Sequence, residues 1–243
     1  MKRIVIVGAT SGMGYEVARL AIRTGWRVGA AGRRVGLLEA LQAEAPGQVE
    51  IEPLDVTDPR APEHLFRLVE RLGGMDIYLH SSGIGSRNEA LDPQIELATA
   101  RTNGEGFIRM VTAAYAWFRD HNGGQIAVIS SIAGTRGLGA APAYSATKRM
   151  QNTYIDALAQ LAHMQHVDIR FTDIRPGFVA TPLLANDGGY PMLMPADRVA
   201  QRIFRAIVRR RRRVVIDARF AVLVFFWKLI PAWLWERLVI RKK

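Results

Sequence analysis

The sequence predicts an α/β chain whose seven parallel strands form the middle layer of a doubly wound three-layer sandwich. Three observations carry that expectation. Short β-rich runs alternate with longer stretches of helical period, a glycine cluster follows the first run at once, and no fixed-period repeat or low-complexity segment interrupts the alternation. At 243 residues the chain is long enough for one domain with a substantial core.

Taken in order, residues 4–7, 27–31, 50–54, 77–80, 125–129 and 168–173 read as strands, each followed by a turn and an amphipathic stretch. Such alternation requires crossover helices on both faces of the sheet. Pro195 introduces a helix over 196–209, with proline in the first turn, and residues 213–217 supply the seventh strand. The domain is therefore expected over 1–218, of Rossmann type, with a different kind of segment over 219–243.

That last segment, FAVLVFFWKLIPAWLWERLVIRKK, is rich in aromatic and branched apolar residues, but Lys228, Pro231 and Glu236 make it a poor bilayer span. Two readings stand. One is a pair of interfacial helices with Trp227, Trp233 and Trp235 at headgroup level on an anionic membrane surface; the other is a tail packed on the domain or on a second subunit.

Composition narrows the chemistry. Apolar residues make up 49% and charged residues 23%, a globular rather than a disordered balance. Cysteine is absent, so disulfides, thiolate chemistry and cysteine-based zinc sites are excluded and redox work requires a cofactor; no metal-ligating residues are singled out. The formal charge of +11 includes five consecutive arginines at 209–213, next to the apolar tail in sequence. No recognition motif or aromatic stacking platform accompanies them, so no specific nucleic-acid partner is expected. The opening Met-Lys-Arg-IVIVG is too short an apolar run for a signal peptide, which gives a cytoplasmic expectation, peripheral at a membrane if the tail binds one.

The cofactor end begins with GATSGMG, which places Gly8, Gly12 and Gly14 where a strand turns into a helix. Glycine suits that turn because the backbone must approach a pyrophosphate held at a helix N-terminus. At the end of the second strand, where an acidic residue serves a ribose hydroxyl, the chain instead reads AAGRR. Arg33 and Arg34 suit a 2′-phosphate and so favour NADP(H) over NAD, unless they are solvated loop arginines.

At the reacting end, Tyr144 and Lys148 in YSATK form an i, i+4 pair on one helix face. A phenol is a sluggish acid at neutral pH, and an adjacent cation favours its ionised form. Ser131, at the exit of the strand that ends AVISS, stands where an open α/β sheet faces its cofactor crevice.

Together, GATSGMG, AAGRR, Asp55-Val56, Asn103, ISSIAG, YSATK and RPGFVATP resemble the short-chain dehydrogenase/reductase family in order and spacing, to about residue 217. The resemblance implies an NADP(H)-dependent oxidoreductase interconverting a carbonyl and a secondary alcohol. By it, Tyr144 is the proton donor, Lys148 lowers its pKa and binds the nicotinamide ribose, Ser131 positions the carbonyl, and Asn103 anchors a proton-relay water. Gly8, Thr10, Ser11, Gly12, Met13 and Gly14 correspond to the pyrophosphate turn, Asp55 and Val56 to adenine contacts, Ser82 and Gly83 to the adenosine side, and Pro176, Gly177, Val179 and Thr181 to the nicotinamide side. The family's usual assembly implies a homodimer or homotetramer built on the helices beginning near Asn103 and Tyr144.

One departure is plain. Where the family shows Asn-Asn-Ala-Gly, this chain has His80, Ser81, Ser82 and Gly83, which puts adenosine geometry rather than chemistry in doubt; His80 is read as structural. Residues 183–194, LLANDGGYPMLM, read as a glycine-hinged lid over an apolar pocket, which suggests a hydrophobic, lipid-like ketone or aldehyde. The alternative function is a catalytically inactive NADP-binding regulatory protein.

Overall fold

The computed structural model describes residues 1–184 and 190–239. Its main sheet joins β1 (Arg3–Val7), β2 (Arg27–Gly32), β3 (Val49–Pro53), β4 (Ile77–His80), β5 (Gly124–Ile129), β6 (Ile169–Pro176) and β9 (Arg213–Ile216). All seven strands are parallel, in the order β3-β2-β1-β4-β5-β6-β9. A two-residue strand β7 (Val179–Ala180) pairs with β8 (Met194–Pro195) beside it.

Period-two alternation divides the core. Ile4 and Ile6 face one layer with α1 (Gly12–Arg23), α2 (Val35–Glu44) and α7 (Ala196–Val208), while Val5 and Val7 face the other with α3 (Ala61–Leu72), α5 (Phe107–Asp120) and α6 (Pro142–Met164). Strands buried on both faces are mostly apolar, which makes them conspicuous in the sequence. The seventh strand and the helix after Pro195 fall where expected.

The sheet order reverses between β1 and β4, where Val7 pairs with His80. Strand order diverging on either side opens a crevice at the carboxyl ends of these strands. Gly8 leaves β1 there with φ +97°, and a side chain on it would come within 2.6 Å of the Ser82 nitrogen. Only glycine satisfies both the left-handed backbone and the contact.

Several helix ends follow local chemistry. Asp92 caps α4 (Pro93–Ala100) by accepting from the Gln94 nitrogen at 2.8 Å, and Pro142 begins α6. Between α4 and α5, residues Arg101–Gly106 wind as a π-helix, which carries Asn103 inward, fully buried.

After β9 come α8 (Ala218–Leu229) and, beyond Pro231, the short α9 (Ala232–Trp235). Phe220 and Val224 of α8 join the same core layer as α1 and α7, so packing continues across the 218/219 boundary. The Phe220 ring lies so close to Gly177 that a side chain there would meet it at 2.3 Å. The arginine run sits at the other end of β9: Arg212 and Arg213 pair with Asp156 of α6, and the strand separates them from the tail they adjoin in sequence. Among the described residues, no helix is long and apolar enough to cross a membrane. The lid expected over 183–194 has its hinge glycines, Gly188 and Gly189, outside the described residues.

Candidate active site

Ser131 follows β5 and caps a 3₁₀ turn (Ile132–Thr135), its Oγ accepting from the Ala133 nitrogen at 3.1 Å. Residues 136–141 lead from that turn to α6, which carries Tyr144 and, one turn on, Lys148. The loop after β4 closes the site from the other side. A side chain on Gly85 would strike the Tyr144 ring at 2.5 Å, and one on Gly83 would lie 3.2 Å from Asn103 Oδ1 and 3.7 Å from Lys148 Nζ. Residues predicted from four separate stretches of sequence thus converge at the mouth of the crevice.

Lys148 is buried, with its Nζ 5.7 Å from the centre of the Tyr144 ring. It donates to the Ile129 carbonyl at 3.2 Å and to Gln151 Oε1 at 3.1 Å. Burial lowers its pKa to about 8, with Asp173 working in the opposite direction. The Tyr144 phenol is itself raised above its ordinary value by burial, and the hydrogen-bonding influence of the Ser131 hydroxyl opposes that rise. Ser131 is thus the hydroxyl partner that pulls the phenol down, and the Lys148 ammonium stands near the same ring.

Asn103 is held from two sides. Its side chain clamps the backbone after Gly83, accepting from the Ile84 nitrogen at 2.9 Å and donating to the Ile84 carbonyl at 2.6 Å. Its carbonyl accepts from Gln151 Nε2 at 2.9 Å. Since the other end of the same amide holds Lys148, a fully buried glutamine links Asn103 directly to the lysine.

Two further groups escaped the sequence reading. Asp173 of β6, fully buried, is bonded by Arg175 and by the Ser130 hydroxyl, which also accepts from Asn152 at 2.9 Å; this network anchors the strand exit that presents Ser131. Glu96 of α4 accepts from the Ala143 nitrogen at 2.8 Å, one residue before Tyr144, and from Asn88 at 2.8 Å. A carboxylate at the start of α6 satisfies an amide that the helix cannot. Gln151 and Asn152 stand seven and eight residues after Tyr144, on its helix face; that spacing was the available signal.

His80 is buried, bonded through Nδ1 to the Tyr78 hydroxyl at 2.9 Å and set edge-on to Phe107. Burial, with Lys148 nearby, lowers its pKa to about 3. A neutral imidazole held in this way fits the structural role expected for it.

The cofactor end is compact. Gly14 approaches the Gly8 carbonyl so closely that a side chain would meet it at 2.2 Å, and Gly12 faces the Thr181 methyl. Ser11 precedes α1 without spending its side chain on a cap, leaving the first-turn amides to a ligand. Arg34 donates to Thr10 Oγ1 at 2.8 Å and Ser11 Oγ at 2.6 Å, and Arg33 stands 3.8 Å from Asp55. Val56 is buried against Gly106, so its side chain serves the core. Glycine turn, exposed guanidinium groups and uncapped helix end together fit a dinucleotide phosphate. Among the described residues, no acidic or histidine cluster suits a metal ion.

The family model for short chain dehydrogenases matches residues 2–188. This chain belongs to the short-chain dehydrogenase/reductase family. An uncharacterized oxidoreductase of Myxococcus xanthus is 33% identical over 93% of this chain and 92% of its own length. Dehydrogenase/reductase SDR family member 7B of Bos taurus is 29% identical over 97% of this chain and 79% of its own. Among solved structures, serine dehydrogenase from Escherichia coli superposes with a TM-score of 0.74 at 26% identity, over 84% of this chain and 90% of that one. As a member of this family, the chain is an NAD(P)-dependent oxidoreductase acting on an alcohol or carbonyl.

Proposed function

We propose that this enzyme uses NADP(H) to interconvert a carbonyl and a secondary alcohol, and that its substrate is a hydrophobic, lipid-like ketone or aldehyde. The observation that carries the chemistry is the meeting of Ser131, Tyr144 and Lys148 beside Gly83 and Gly85 at the sheet's switch point. The backbone at Gly8, Gly12 and Gly14, with Thr10, Ser11 and Met13, would hold the pyrophosphate, and Thr181 closes on the same turn. Arg33 and Arg34 stand exposed at the end of β2, where guanidinium forks bind a 2′-phosphate. Bound there, the reduced nicotinamide supplies the hydride that the carbonyl carbon accepts.

The side chains then manage the oxygen. Ser131 donates a hydrogen bond to the carbonyl oxygen and holds it toward Tyr144. As negative charge develops on that oxygen, the Tyr144 O–H bond breaks and its proton passes to the forming alcohol. The ammonium of Lys148 stabilises the phenolate left behind. In the oxidative direction the same atoms run in reverse.

Support for an apolar substrate comes from a cavity of about 570 Å³ beside the loop that joins Ser131 to Tyr144. Gly137, Ala140, Trp235, Leu238 and Val239 give it an apolar lining, to which Glu89, Arg136 and Glu236 add charged groups. Ser131 and Tyr144 do not themselves line it; their connecting loop does.

A panel of apolar ketones, aldehydes and long-chain carbonyls, assayed with NADPH and with NADH by loss of reduced-nicotinamide absorbance, tests this reading. Turnover of apolar carbonyls with NADPH preferred is expected. Tight NADPH binding with no turnover across the panel would instead favour the regulatory alternative.

A further inference from the structure

Between Arg219 and Lys228, helix α8 is apolar all round, a pattern that calls for burial on more than one face. The domain buries only one. Phe220 and Val224 enter the core, while Val222, Phe225, Phe226 and Leu229 on the opposite face are each 58–64% exposed. Trp233 of α9, just beyond this helix, is also exposed at 61%, with the Arg237 guanidinium 5.8 Å from its ring centre. A contiguous apolar face of this kind on a folded domain marks a docking surface.

Charge identifies the occupant. Residues 219–243 contain six basic residues (Arg219, Lys228, Arg237, Arg241, Lys242 and Lys243) and one acidic residue, Glu236, a balance of 6 − 1 = +5. Two copies meeting through this face would bring like charges together, whereas an anionic lipid surface complements them. Length excludes a span: twelve residues of α8 cover about 18 Å, well short of a hydrocarbon core of about 30 Å, and Pro231 breaks the helix.

We infer that α8 and α9 seat this enzyme on an anionic bilayer, lying in the interface with Phe225, Phe226, Leu229 and Trp233 among the headgroups and upper acyl chains. The seat is rigid. Arg136 donates to the Trp227 carbonyl at 3.2 Å, to the Lys228 carbonyl at 3.1 Å and to the Ile230 carbonyl, while Trp235 Nε1 donates to the Gly137 carbonyl at 2.8 Å. These bonds tie the docking helices to the loop between Ser131 and Tyr144, so the bilayer lies beside the cavity that this loop lines. An apolar carbonyl would reach it from the lipid; that consequence rests on the proposed function, but docking does not.

Co-sedimentation of the full chain with phosphatidylcholine vesicles, with and without phosphatidylglycerol, tests the docking without any turnover. The parent protein is expected to sediment with the anionic vesicles and much less with the neutral ones. Phe225→Asp/Phe226→Asp, at exposed positions, is expected to weaken partition at least about tenfold with unchanged melting temperature. Lys228→Gln/Arg237→Gln is expected to weaken it by roughly fivefold per charge. Failure of the parent to sediment, or equal sedimentation of the Asp variant, would overturn the proposal. So would a parent dimer in sedimentation velocity that the Asp substitutions convert to monomer, since the face would then belong to a second copy.

Discussion

Lys148 Nζ donates to Gln151 Oε1 at 3.1 Å in a fully enclosed setting, and the same glutamine holds the Asn103 carbonyl through its Nε2. A buried ammonium needs acceptors, and Gln151 is one of only two that hydrogen-bond Lys148 among the described residues. An amide can orient the lysine but cannot exchange a proton at neutral pH, so this link stabilises the charged form rather than relaying protons.

An alkaline limb in kcat/KM follows, because Lys148 loses its proton at about pH 8 in the free enzyme. Gln151→Leu removes one acceptor of a charge-assisted bond, an interaction of about 1.5–3 kcal/mol, which disfavours the ammonium. The limb is expected to move toward neutrality, with activity at pH 8 reduced about tenfold. A pH–rate profile for parent and variant checks this. A limb that stayed in place while only the melting temperature fell would reduce Gln151 to packing.

His80 makes stability depend on acid. Its ordinary pKa of 6.5 falls to about 3 in the folded chain because burial disfavours the charged ring. Between these values the unfolded chain binds a proton that the folded chain refuses, so stability falls as pH falls through that window. Urea midpoints at pH 7 and pH 5 are expected to differ less in His80→Asn than in the parent. An unchanged difference would place the acid sensitivity elsewhere.

Arg33 and Arg34 should set cofactor preference. Removing both (Arg33→Ala/Arg34→Ala) is expected to raise the NADPH KM by at least about 10²-fold, since each fork on a phosphate contributes about 1.5–3 kcal/mol. The NADH KM should change little. Equal loss with both cofactors would show that the pair serves the glycine turn, where Arg34 already meets Thr10 and Ser11.

What could be read from the sequence follows the range of the forces involved. The strands were legible because fully buried parallel strands leave continuous apolar runs, and the strand over Ile77–His80 begins and ends where the sequence placed it. The reacting pair was legible because its spacing is local to one helix. Asp173 with Ser130, Glu96 with Ala143 and Gln151 with Asn103 were not, because 43, 47 and 48 residues separate these partners and only the fold brings them together. The arginine run shows the converse: residues 209–213 and the tail are sequence neighbours, yet they lie at opposite ends of β9.

The most direct measurement of the central claim compares Tyr144→Phe with the parent for NADPH-dependent carbonyl turnover and for NADPH binding by fluorescence titration. Loss of the phenolic proton should lower kcat by about 10²- to 10⁴-fold while the binding constant stays within a few-fold. A Phe variant that turned over carbonyls at close to the parent rate would contradict the assignment of Tyr144 as the proton donor.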